Sequence, residues 1–360
     1  MSTHKDELAA AYTLMNQGDM DEALEHALKA ITLDGGNAEG YAIASQIYGL
    51  MDDHEKALKH SRKAYELKPE DTNLALSHAL FLMESGEFNE ALEITDKVVK
   101  KGVSPEVLQV RSSIFLNMGD EKNAITEAHN AYKTGQGIEY KLNYAMVLSE
   151  FGKIEDSTKI LKEALKEDNG SFEAKYLLYR NYLAMGDVKN SIKYIKECLE
   201  SSPEDPDVMS ELATLMEELD DPELAEKYHK KAAGIAGEDE DILLDMADFY
   251  LTQDKPDQAL IIAESLLKEE GSVDAMLLKG RALMALGKLA DAVTFLQEAV
   301  EVTDDDEAKM NLGLCLYQDG KMDQAEKIFL DLSGREFQKE MSDSYLDRIW
   351  WKKNRKSFKL

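Results

Sequence analysis

Cysteine is nearly absent from this chain, with Cys198 and Cys315 the only two in 360 residues. Two thiols cannot build a disulfide framework, so the fold must hold by packing alone, and both are read as buried structural thiols at helical positions. Proline is scarce, at six residues, and no segment alternates with the period of a strand. Together with strong use of Ala, Leu, Glu and Lys, this points to an all-α chain. No apolar run reaches bilayer length, and the first residues carry neither a basic start nor an apolar stretch behind it. A soluble, cytoplasmic protein without integral membrane association is expected. The seven histidines, His4, His26, His54, His60, His78, His129 and His229, include no i, i+4 pair. There is no Cys-x-x-Cys, no Gly-rich phosphate loop ending in Lys and Ser or Thr, and no G-x-S-x-G, so no catalytic residue, metal ligand or cofactor is expected. Positive charge is also in deficit. With 42 basic against 71 acidic residues the formal charge is −29, which repels nucleic acid and anionic membranes as main partners. The acidity serves solubility, or it attracts a basic partner.

What the chain does have is a period. Small residues return at Ala23, Ala57, Ala91, Ala124, Ser157, Ser191, Ala225, Ala259, Ala292 and Ala325, always 33 or 34 residues apart. A second position twelve residues earlier reads Ala11, Ser45, Ala79, Ser112, Ala145, Tyr179, Ala213, Ala247, Gly280 and Gly313. Between them lies Gly18, Asp52, Gly86, Gly119, Gly152, Gly186, Asp220, Asp254, Gly287 or Gly320. Each unit therefore reads as helix, tight turn, helix, with small residues where two helices cross closely. The turn position calls for a left-handed backbone, which Gly adopts freely and Asp tolerates better than most residues. Pro222 and Pro256 open second helices, where a missing backbone donor costs little. Tyr179 in a small slot, and Arg111 and Lys279 in apolar slots, depart from the pattern.

This pattern resembles the tetratricopeptide repeat. The residues that carry the likeness are Leu312, Gly313, Leu316, Gly320, Ala325, Phe329 and Leu332 in one unit, and Tyr41, Tyr48, Ala57, Ala64 and Pro69 in another. The resemblance implies an α-solenoid: a right-handed superhelix of ten helical hairpins over residues 1–337, with a C-terminal capping helix and basic tail over 338–360. It also implies a non-enzymatic scaffold or adaptor that binds a peptide or helix in a concave groove lined by first helices. The alternatives are a peripheral assembly factor docked through its basic aromatic tail, or a regulatory subunit of an enzyme complex.

In the family the groove uses about the second, fifth, ninth, twelfth and thirteenth positions of each repeat. Carried over, these give an apolar stretch, Leu8, Tyr12, Met15, Leu76, Leu80, Met83, Leu142 and Met146, joined by Tyr176. An acidic stretch follows with Asp207, Asp241 and Asp248, bracketed in sequence by Arg180 and Arg281. The same positions are equally open to packing against neighbouring helices. A column of carboxylates at the second position, Glu39, Glu106, Glu139, Glu173, Asp207, Asp241, Asp274 and Glu307, lies in the first turn of helices, where the dipole favours negative charge; ligand binding is the other account of it. The acidic runs at 238–241 and 304–307 are read in the same way. No trio of Lys, Arg and Asn exists to clamp an acidic chaperone tail, so the expected partner is a protein or peptide with an apolar or basic segment. At the C-terminus, Tyr345, Leu346, Ile349 and Trp350 share a helical face, either as a cap on the last repeat or as a docking tail.

Overall fold

The computed structural model describes residues 3–268, 272–303, 305–335 and 337–355. These residues form 21 α-helices and no strand, the all-α architecture of a helical solenoid. The chain divides into two compact units, 1–194 and 195–360.

The N-terminal unit runs through α1 (His4–Gln17), α2 (Met20–Leu33), α3 (Ala38–Leu50), α4 (His54–Leu67), α5 (Thr72–Glu84) and α6 (Phe88–Lys101). It continues with α7 (Pro105–Asn117), α8 (Glu121–Thr134), α9 (Ile138–Glu150), α10 (Ile154–Glu167) and α11 (Phe172–Ala184). The division between the units falls within α12 (Val188–Ser201). The C-terminal unit comprises α13 (Pro206–Glu218), α14 (Pro222–Ala236), α15 (Glu240–Thr252), α16 (Pro256–Leu266) and α17 (Val273–Ala285). Its remaining helices are α18 (Leu289–Thr303), α19 (Asp306–Gln318), α20 (Met322–Leu332) and α21 (Lys339–Asn354).

The turn position decides how each hairpin closes. All ten expected turn residues have positive φ, including Asp52 and Asp220 at 58° and Asp254 at 54°. After that turn the second helix starts at once, and Asp53, Asp120 and Asp221 each accept a hydrogen bond from a backbone N–H in its first turn. First helices are capped in the same way by Thr3, Asn37, Asp71, Ser171, Asp205, Asp239, Ser272 and Asp305. The carboxylate column thus occupies first helical turns throughout. Asp304 lies outside the described residues. Pro222 and Pro256 sit in the first turns of α14 and α16.

The ten recurring small residues from Ala23 to Ala325 are all fully buried. Within the N-terminal unit the first helices α5, α7, α9 and α11 touch in succession, and the second helices pack behind them. In the C-terminal unit α13, α15, α17 and α19 do the same. Tyr179 is accommodated: it is buried, with its ring 5.9 Å from that of Tyr176. The two cations in apolar slots bury their stems and pair their heads. Arg111 reaches Asp96 at 2.5 Å and Glu127 at 3.0 Å, while Lys279 lies 4.2 Å from the Phe295 ring centre and 3.7 Å from Glu264. Cys198 and Cys315 are buried thiols outside any disulfide, and burial pushes Cys315 up to about 11.

Candidate functional site

First helices expose the positions that small residues and core leucines leave over, and in the N-terminal unit two concavities form along them. The first lies at the C-terminal ends of α1, α3 and α5. It holds about 600 Å³ and is lined by Met15, Gln46, Leu50, Phe81 and Glu84, with Asp52 from the intervening turn and His54 at the start of α4. Gly49 belongs here because a Cβ would come within 3.0 Å of the Phe81 ring. The second lies on α7, α9 and α11 and holds about 410 Å³. Leu142 and Met146 of α9 face Phe172, Tyr176 and Leu177 of α11, with Gln109 on α7, and Glu139 and Glu173 stand at the helix N-termini. Both volumes fall in the range of about 300–1,000 Å³ usual for binding sites. The Phe172 and Tyr176 rings stack at 6.0 Å with 9° between their planes, which fixes a flat aromatic wall.

The structure therefore gathers Leu142, Met146 and Tyr176 into one pocket and sets Met15 in another. Tyr12, at 40% exposure, Leu80 and Met83 are also accessible on their helices. Leu8 and Leu76 are corrections to the sequence reading. They are 4% and 8% exposed and belong to the core. Leu8 packs with Ala11, Ala27 and Ile43, where Gly40 lets α3 approach; Leu76 packs with Ala79, Val107 and Leu108. Sequence reasoning missed Phe172, Asn143 and Leu177, which stand at the first and sixth repeat positions. The available signal was the aromatic pair Phe172 and Tyr176 at i, i+4, which places both rings on one helix face.

Among the acidic candidates, Asp207, Asp241 and Asp248 are all exposed. Partial loss of hydration on one side, and then the charges of Asp205, Asp239 and Asp241, hold the Asp207 carboxyl above its usual range. Arg281 pairs with Asp248 at 2.8 Å, and the hydroxyl of Ser210 donates to Asp245 at 2.7 Å, so part of the acidic stretch is already satisfied internally. Arg180 is exposed on α11, 3.9 Å from Glu150. Glu106 is also occupied: it accepts a 2.9 Å hydrogen bond from Tyr140, whose phenol is raised to about 12 by burial first and by that bond second.

At the C-terminal end α21 packs on α20. Ile349 is fully buried, Tyr345 stacks on Phe329 at 5.1 Å, and Lys353 bridges Asp323 and Glu326 at 2.6 and 2.5 Å. Lys352 lies over Tyr317 of α19 and so turns back toward the protein, while Arg348 lies over Tyr345 of its own helix. Trp350 does not join the packed face; it is 50% exposed, and Trp351 is 56% exposed. The rest of the basic tail, 356–360, lies outside the described residues. Among the described residues no helix is long and apolar enough to cross a membrane.

A face of first helices with side-chain pockets, backed by second helices that supply rigidity, defines a helical-repeat protein built for protein contacts. Tetratricopeptide repeat models match residues 8–37, 38–71 and 173–205, and a further one matches 244–307. Those four segments are tetratricopeptide repeats, and the helices between and around them follow the same hairpin order. A TPR repeat-containing protein of Dictyostelium discoideum is 27% identical over 110 residues, which cover 29% of this chain and 42% of the relative, less than half its length. Among solved structures, a tetratricopeptide repeat protein from Parabacteroides merdae aligns with a TM-score of 0.52 at 16% identity, covering 68% of this chain and 97% of that one. Yeast Tom70 aligns over 98% of this chain and 96% of its own, with a TM-score of 0.46 at 14% identity.

Proposed function

We propose that the protein is a non-enzymatic scaffold that holds a segment of a protein partner against the first helices of its N-terminal unit. The observation that carries this reading is the pocket on α7, α9 and α11, where Leu142, Met146, Phe172 and Tyr176 leave apolar surface open to solvent. Such a surface suits an amphipathic helix or an extended peptide, and Met146 can adjust to either. Tyr12, Met15, Leu80 and Met83 extend accessible apolar surface along the preceding first helices. Within the C-terminal unit the exposed Asp207 and Asp241 would draw a basic stretch of a partner and act on association rate more than on final affinity.

Capture from the native host's lysate tests the reading. Met146→Asp puts a charge in the apolar pocket and is expected to release the partners that the wild-type chain retains, weakening them by at least about tenfold at unchanged helicity. Charge reversal at Asp241 and Asp248 is expected to weaken capture less, and chiefly at low salt. Full retention of every partner by Met146→Asp would remove the groove from the account.

A further inference from the structure

The pocket on α7, α9 and α11 has a rim of one sign. Glu139 and Glu173 flank it from the first turns of α9 and α11, and no Lys, Arg or His lines it. The nearest cation on α9, Lys141, is held by Glu167, and Arg180 of α11 lies by Glu150. Both glutamates stand at helix N-termini, where the dipole favours negative charge.

The buried Asn143 at the pocket wall is held from behind, its side-chain oxygen accepting from the Ser112 hydroxyl at 3.0 Å. Glu173 accepts from the Ser171 hydroxyl at 3.3 Å, which leaves its second oxygen open. Glu139 and Glu173 thus offer acceptors around an apolar floor, and an occupant must bring donors.

We infer that this pocket takes a peptide segment of a partner that sets one apolar side chain of Leu, Met or Phe type against Met146 and Tyr176 and an adjacent Lys or Arg against Glu139 and Glu173. This rests on the groove reading above and adds the chemistry of the occupant. Elsewhere in the same unit, α3 and α4 carry a patch of opposite sign, about 380 Å³ in volume, lined by Tyr41, Lys59, His60, Arg62, Lys63 and Glu66. Its cations are already engaged, Arg62 3.7 Å from Glu87 and Glu90 and Lys63 3.4 Å from Glu66.

The test is a selection of random twelve-residue peptides displayed on phage against the full chain, followed by anisotropy titrations of the enriched peptides. Enriched sequences are expected to pair an apolar residue with Lys or Arg within two positions. Their affinity should fall about tenfold in Glu139→Gln/Glu173→Gln, and its salt dependence should flatten. Binding should be lost in Met146→Asp, with helicity unchanged in all variants. Peptides that need Met146 but ignore the Gln pair would overturn the charge assignment and leave the groove reading standing. Peptides that ignore Met146→Asp, acidic peptides, or no enrichment at all would overturn the inference. Sedimentation of the free chain closes the remaining alternative: self-association abolished by Met146→Asp would make a second copy the occupant and overturn it as well.

Discussion

At the scale of single residues, backbone geometry explains the turn column more fully than any contact does. Asp52, Asp220 and Asp254 stand in the same left-handed conformation as the seven glycines of that column. Open space surrounds a Cβ placed on Gly86, so Gly86→Ala should cost only backbone strain, about 1 kcal/mol. Asp220→Gly relieves that strain while adding unfolded-state freedom, and should raise stability by no more than about 0.5 kcal/mol. Urea unfolding midpoints of the two variants check the opposite signs; a loss at both sites would mean that contacts, not φ, govern the turn. Side-chain exposure is less regular. Leu8, Leu76 and Leu142 hold the same repeat position, yet the first two are core and only the third lines a pocket. The repeat pattern cannot separate them, because the neighbouring helix decides how much of each is covered.

At the scale of helices, close crossings are set by what small residues allow. A Cβ on Gly280 of α17 would lie 2.5 Å from Leu296 of α18, whereas one on Gly234 of α14 meets nothing within 4 Å. Gly280→Ala should therefore destabilise the chain by about 1–3 kcal/mol through overpacking, while Gly234→Ala should stabilise it by up to about 1 kcal/mol through helix propensity. Differential scanning calorimetry of the pair reads both effects, and equal shifts of one sign would refute the close-crossing account. Departures from the repeat are likewise resolved between helices. Arg111 of α7 pairs with Glu127 of α8 and Asp96 of α6, three helices that the sequence alone does not tie together.

At the scale of the whole chain, a repeat array has ends, and the end helix α21 covers Phe329 and the Tyr317 ring. Among the described residues the substantial helix contacts join near neighbours, so loss of α21 should act locally. Truncation after residue 337 should raise amide exchange in α19 and α20 while leaving α1 to α6 at wild-type protection, read by hydrogen exchange with mass spectrometry. Uniform loss of protection through α1 would show cooperative unfolding of the whole chain instead.

The sequence by itself determined the all-helical class, the hairpin register, the turn conformation and the buried small residues. Each follows from local backbone preference or from a period repeated ten times. It also placed Leu142, Met146 and Tyr176 at groove positions. Tertiary structure alone decided that these three meet Phe172, Glu139 and Glu173 around one cavity, that Leu8 and Leu76 sink into the core, and that Arg281 satisfies Asp248. The reason is physical: a repeat position fixes which way a side chain leaves its helix, but its exposure and its partners depend on the size and charge of residues one repeat away, 33 or 34 positions distant in the chain.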